Sequence, residues 1–296
     1  MELRVLRYFL MAAREENITR AARLLHISQP TLSRQLMQLE EELGAQLFHR
    51  GRHSIVLTDD GMLLRRRAQE ILDLAEKTSQ ELSHREEDLA GEVSIGCGET
   101  RNMTVLSQAI ASFRRSHPYV QFSIYSATAD DTKVRMERGL LDLGLLMEPV
   151  DISRYEFLRM PRRERWAALV REDSPLAAQS CVTPAELSRL PLIMARRESV
   201  QTELAGWFGL PAEHLEVAAT YNLVLNAVSM VRCGVGVALC YVLDDGYAGV
   251  RTVPLSPTLE SGAVLAYKKG QALSRPSRAF VAHIKQCLLS ISHNET

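Results

Sequence analysis

The segment Thr19-Arg20-Ala21-Ala22-Arg23-Leu24-Leu25-His26-Ile27-Ser28-Gln29-Pro30-Thr31-Leu32-Ser33-Arg34-Gln35-Leu36 constrains the fold more than any other part of this 296-residue chain. Its first half carries Ala21, Ala22, Leu24 and Leu25 at helical spacing and predicts a helix starting near Thr19. A short turn at His26 and Ile27 ends it. Ser28 then has the side chain of an N-cap, and Pro30 stands in the first turn of the next helix, where its missing N–H costs nothing. Leu32, Leu36, Leu39 and Leu43 carry that helix onward until Gly44 stops it. Two short helices joined by a tight turn make a helix-turn-helix, whose second helix is narrow enough for the major groove of DNA.

The flanks complete a small helical unit over residues 1–58. Leu3, Leu6, Phe9, Leu10 and Ala13 give a preceding helix one apolar stripe. Two β-prone pieces, Leu47–Arg50 and Ser54–Leu57, are separated by Gly51-Arg52-His53 and predict a hairpin, or wing. With Leu32 and Leu36 turned inward, Gln29, Pro30, Ser33 and Arg34 fall on the opposite face. Arg34 suits the O6/N7 edge of guanine, Gln29 suits adenine, and Pro30 suits a thymine methyl. Ser28 and the helix N-terminus suit a phosphate, and Thr31 joins the candidate DNA-binding set. His49, Arg50, Arg52 and His53 place cations on the wing. The formal net charge of −1 carries no such message. Over residues 17–58, however, five Arg stand against three Glu, which are the adjacent Glu40-Glu41-Glu42, so the positive charge is local.

From Thr58 to about Asp88 the pattern Leu64, Ala68, Ile71, Ala75, Thr78, Leu82 alternates at four and three residues. It predicts a linker helix over 59–88 with a heptad seam suited to pairing with a second copy, the alternative being an amphipathic helix packed on its own chain. Leu89-Ala90-Gly91 breaks it. Beyond lie candidate strands at Glu92–Gly96, Val120–Tyr125, Asp142–Leu146, Trp166–Val170, Leu192–Met194, Leu215–Ala219, Val235–Leu239, Val250–Val253 and Gly262–Lys268. Helices fall between them, notably Asn102–Ser116 and Asn222–Cys233. This alternation predicts an α/β architecture of mainly parallel sheets covered on both sides. Residues 89–296 exceed one such unit and divide better into two halves around a ligand cleft: subdomain I over about 92–161 and 267–296, subdomain II over about 162–266. At 46% hydrophobic, the chain can bury cores of this size.

Other function classes lack their residues. No apolar run approaches the roughly 20 residues of a membrane span, so no membrane partner is expected. Cys97, Cys181, Cys233, Cys240 and Cys287 are odd in number and show no metal-ligand spacing, which points to a reducing cytoplasm and to no metal. Cys233 and Cys240 bracket a short segment but suit a helix end and a buried strand better than a redox pair. There is no GxSxG, P-loop or HExxH, and Gly96-Cys97-Gly98 does not extend to a dinucleotide fingerprint, so neither catalysis nor a cofactor is expected. The alternatives are a ligand-independent DNA binder and, with less in its favour, an enzyme or carrier that uses the α/β cleft; the first predicts non-specific, salt-sensitive binding. The large segment beyond the linker argues against that first alternative.

The blocks AARLLHISQPTLSRQLMQLEEELGAQLFHR, LTDDG, FRRSHPYVQFSIYS with GLLDLGLL, and VSMVRCGVGVAL occur in this order along the chain. In these blocks the sequence resembles the LysR-type transcriptional regulators. The resemblance implies an N-terminal winged helix-turn-helix, a long linker helix and a C-terminal two-subdomain α/β effector domain like periplasmic binding proteins. It implies promoter DNA and a small-molecule effector as partners, with assembly as a homodimer or dimer of dimers. It supports Gln29, Pro30, Ser33 and Arg34 as base readers, with Arg50 and Arg52 in the wing. For the effector it implies Thr100 at the loop after the first sensor strand, followed by Arg101 and Asn102, where helix-start N–H groups favour a carboxylate or phosphate. Similar placement adds Thr128, Met147, Arg196 and Asn222 to the cleft.

Overall fold

The computed structural model describes residues 1–51, 54–83, 89–243 and 246–294, and the chain divides into two compact units, Met1–Ser83 and His84–Thr296. The first unit contains α1 (Leu3–Glu15), α2 (Ile18–Leu24), α3 (Gln29–Leu43), the hairpin of β1 (Phe48–Arg50) and β2 (Ile55–Leu57), and α4 (Asp59–Ser83). Asn17 caps α2 by accepting the Arg20 N–H, and Ser28 caps α3 by accepting the Thr31 N–H at 3.3 Å. Gly44 ends α3 with φ +63°, in the left-handed region. The core gathers Leu6, Phe9, Ala12, Ala21, Leu32, Leu36, Leu39 and Phe48.

The packing of α1, of two helix ends and of α4 differs in part from the predicted pattern. On α1 the expected Leu6, Phe9 and Ala13 are buried and Leu10 packs against the core, whereas Leu3, at the first helical position, is exposed and Val5 and Ala12 are buried instead. Leu24 and Leu43, both expected inside, are exposed at the ends of their helices. On α4 the first half of the seam is already covered. Ala68 and Leu72 are buried in the core of this unit, with Leu64 and Ile71 packed against it, so this stretch follows the alternative of a helix packed on its own chain. The Leu82 side chain lies outside the described residues.

The second unit runs β3 (Gly91–Cys97), α5 (Asn102–Ser116), β4 (Val120–Ser126), α6 (Ala129–Glu137), β5 (Leu143–Met147), β6 (Tyr155–Arg159), β7 (Glu164–Arg171), α7 (Pro184–Leu187), β8 (Leu192–Ala195), α8 (Glu198–Phe208), β9 (Val217–Tyr221), α9 (Val224–Arg232), β10 (Val237–Tyr241), β11 (Val250–Pro254), β12 (Glu260–Ser261), β13 (Ala263–Lys268) and α10 (Arg275–Asn294). One sheet has the order β4-β3-β5-β13-β6. α5 and α10 cover one face through Phe113, Phe280 and Ile284, and α6 covers the other through Met136. The second sheet has the order β11-β7-β10-β8-β9, with β12 beside β7, and lies between α7 and α8 on one side and α9 on the other.

The sheets are mixed rather than mainly parallel. β3 runs parallel to β4 and β5, and β8 runs parallel to β9 and β10, but β13 is antiparallel to β5 and β6, and β7 to β10 and β11. The antiparallel strands are those that carry the chain between the two sheets. The sequence pattern missed β6, an edge strand paired only with β13, and the two-residue β12. The return to the first sheet comes at Gly262, not near 267, so β13 belongs to subdomain I. The apolar run Ala263–Ala266 shows no break that would mark this crossing.

Candidate DNA-reading face and effector cleft

Capping and core packing fix the rotation of α3 in the first unit. Leu32 and Leu36 are fully buried, which leaves Gln29, Pro30, Thr31 and Arg34 exposed and Ser33 half-buried on the outer face. The Ser28 and Thr31 hydroxyls lie 2.7 Å apart, so Ser28 is engaged as a cap. Among the described residues, no carboxylate is paired with Arg34. Arg50 differs, because its guanidinium donates to Glu40 Oε2 at 2.9 Å. Glu40 Oε1 also accepts the Leu47 and Phe48 N–H groups at 2.8 and 3.2 Å. This carboxylate therefore fastens the wing to α3, and Arg50 is held there. Arg52 and His53 lie outside the described residues.

Within the second unit, a cavity of about 90 Å³ opens between the two sheets. Thr128, Met147, Arg196 and Asn222, all expected at the cleft, line it. Thr128 caps α6, accepting the Asp131 N–H at 3.3 Å. Met147 ends β5. Arg196 joins the strand ends of subdomain II by donating its N–H to Tyr221 O at 2.8 Å, and its side chain is exposed. The apolar wall comes from Trp166, Tyr221 and Tyr241 with Leu145 and Val200. Trp166 packs against Tyr241 with ring centroids 4.2 Å apart at a tilt of 46°, and its indole N–H donates to Ser261 Oγ at 2.9 Å, which fixes the ring.

Thr100, Arg101 and Asn102 do not line this cavity. They turn to the chain's own Glu164, whose carboxylate accepts from the Thr100 hydroxyl, from the Arg101 and Asn102 N–H groups at 3.2 Å each, and from Asn102 Nδ2 at 2.7 Å. Glu164 is 0% exposed. The chemistry foreseen for this helix start, donors gathered on a carboxylate, is present, but the carboxylate belongs to β7. Two more polar straps cross the cleft. Glu99 accepts the first N–H of α9, from Val224. Arg197 donates to Asp130 at 3.1 Å, to Met147 O at 3.3 Å and to Pro149 O at 2.9 Å. Sequence reasoning missed all three. Glu164 sits in the run Arg162-Arg163-Glu164-Arg165, which reads as a solvated charge cluster.

Cys97 is buried beside these groups. Burial first, then the negative charges of Glu164 and Glu99, push its pKa up from about 9 to about 12. Cys240, buried in β10, is likewise pushed up to about 12 by burial and then by Glu99. Cys181 and Cys233 are exposed. In the native chain at pH 8, iodoacetamide should label Cys181 and Cys233 and spare Cys97 and Cys240 until denaturant is added, as read by mass spectrometry. Both buried thiols hold their protons more tightly in the folded state. They therefore contribute stability that is fully present below pH 9 and is lost as pH rises toward 12.

Comparison with known proteins agrees with both units. Residues 3–62 match the bacterial regulatory helix-turn-helix protein of the lysR family, and residues 86–288 match the LysR substrate binding domain. The Hca operon transcriptional activator HcaR of Escherichia coli is 28% identical, covering 99% of this chain and 100% of that protein. The HTH-type transcriptional activator IlvY of Salmonella typhimurium is 32% identical over 85% of this chain and 86% of its own. Among solved structures, CbnR, a LysR family transcriptional regulator, shares the fold at a TM-score of 0.76 and 21% identity, covering 97% of this chain and 99% of that one. No helix among the described residues is long and apolar enough to cross a membrane. Two family models matched in order, together with relatives aligned over nearly their whole length, make this chain a member of the LysR family of transcriptional regulators, with a DNA-binding helix-turn-helix unit and an effector-binding unit.

Proposed function

We propose that this regulator reads promoter DNA through Gln29, Pro30, Ser33 and Arg34 and senses a small molecule in the cavity bordered by Thr128, Met147, Arg196 and Asn222. The observation that carries the first half is the outer face of α3, where Arg34 is exposed and no carboxylate among the described residues pairs with it. Arg34→Ala should weaken binding to the specific site by about 1–3 kcal/mol and relax the base preference at one position. Footprinting and anisotropy titrations of wild type and variant measure both effects. Undiminished specificity would remove Arg34 from the base-reading set. Arg50, neutralised by Glu40, contributes to wing position more than to affinity.

For the effector, the aromatic wall and the exposed Arg196 guanidinium favour a compact, apolar-bodied ligand with an anionic head. The switch is linkage: a ligand that binds one arrangement of the two subdomains better than another shifts the equilibrium by its difference in affinity. A thermal-shift screen of small organic acids should yield at least one that raises Tm in wild type and changes its affinity for DNA. Arg196→Ala should lose both responses. A full response in that variant would place the ligand elsewhere. The same reading includes a homodimer or dimer of dimers acting in a reducing cytoplasm, which equilibrium sedimentation tests for the assembly.

A further inference from the structure

Four donors converge on the Glu164 carboxylate, and all belong to the start of α5: the Thr100 hydroxyl, the Arg101 and Asn102 N–H groups, and the Asn102 side-chain amide. The same amide is held in place by Arg162, donating to Arg162 O at 2.8 Å while its oxygen accepts the Arg162 N–H at 3.2 Å. The first N–H groups of a helix have no partner inside the helix and carry its positive end, so they attract an anion. Here that demand is met from within. Glu164 opens β7, at the point where the chain has just crossed from the first sheet to the second.

We propose that Glu164 is a specificity-determining residue, a tethered carboxylate that fills the anion position at the start of α5 and so excludes effectors that would place an acidic group on Thr100 and Asn102. This deepens the effector reading given above. The effector's polar head is left with Arg196 and Asn222, which line the cavity. A carboxylate delivered to Thr100 would have to displace a buried group holding four hydrogen bonds, whereas the exposed Arg196 has no carboxylate paired with it among the described residues.

The test is chemical rescue in the purified full-length chain. Glu164→Ala opens a carboxylate-sized space lined by donors. The variant should melt roughly 5 °C below wild type, as expected for buried donors left without an acceptor. Sodium formate or acetate should raise its Tm saturably, beyond sodium chloride at the same ionic strength, while leaving wild type unmoved. An isosteric variant, Glu164→Gln, fills the space but turns an N–H₂ toward other donors; it should melt below wild type and show no rescue. Equal shifts of wild type and Glu164→Ala by acetate, or no acetate-specific shift in Glu164→Ala, would overturn the proposal. If Glu164→Ala does not accumulate as folded protein, Glu164→Gln decides: a wild-type Tm, or rescue by acetate, overturns the proposal, and a lower Tm without rescue sustains it. The readout uses neither DNA nor effector. Its failure is therefore distinct from a failure of the Arg196 experiment.

Discussion

Phe9→Ala should destabilise the DNA-binding unit by about 3–5 kcal/mol, the usual cost of emptying a buried phenylalanine site. Phe9 is fully buried, and its ring lies 5.3 Å from that of Phe48 at a tilt of 52°. Phe48 is the first residue of β1, so this ring pair joins the first helix to the wing. Truncation removes the apolar contact and leaves a void that Leu6, Leu36 and Leu39, all buried, can fill only in part. Urea unfolding followed by circular dichroism measures the loss, and DNA affinity should fall with it. The second unit has its own aromatic centre in Phe113, Phe122 and Phe280, which the substitution does not touch. Loss of less than about 1 kcal/mol would mean that the Phe9 site collapses without strain.

Gly61→Ala should cost about 3 kcal/mol, toward the upper end of what overpacking does. Gly61 lies in the first turn of α4, where its N–H donates to Thr58 Oγ1 at 3.0 Å. Thr58 in turn donates its hydroxyl to Gln46 O at 2.6 Å and its N–H to Leu47 O at 3.0 Å. A Cβ on Gly61 would sit 2.1 Å from Leu47 O and 2.9 Å from Leu57 Cδ2. The first is backbone, fixed by the Thr58 bond, and it cannot swing away as a side chain would. Gly206, inside α8, is the control. A Cβ there would meet nothing within 4 Å, so Gly206→Ala should add about 0.5–1 kcal/mol through helix propensity and a less flexible unfolded chain. Thermal melts of the two variants should move in opposite directions.

Local chemistry made the first unit legible. Ser28, Pro30 and Gly44 mark the ends of α3 by their own backbone preferences, and the leucine spacing fixes which face is left for DNA. What the sequence left open there was the edge of the α1 stripe, since Leu3, Val5, Leu10 and Ala12 are all apolar and only the partner helices choose among them. In the second unit, the alternation of strands and helices was readable, but strand direction was not. Direction depends on where the chain crosses between sheets, and residues such as Gly262 carry no signal for that. The cavity positions at Thr128, Met147, Arg196 and Asn222 follow strand ends and were reachable. Glu164, Glu99 and Arg197 were not, because each finds its partner more than 45 residues away, on an element whose position only the folded sheets supply.

The chain's route through the second unit also orders its birth on the ribosome. Subdomain II is an insertion: the first sheet is left after β6 and resumed only at β13, with α10 closing it later still. The helix-turn-helix unit is complete once Ser83 has emerged. From the emergence of Arg159 until that of Ala263, β5 lacks its β13 neighbour and β6 has no strand to pair with at all. A chain released early therefore carries a finished DNA reader beside an unfinished sensor sheet, whose open edge invites association with other chains.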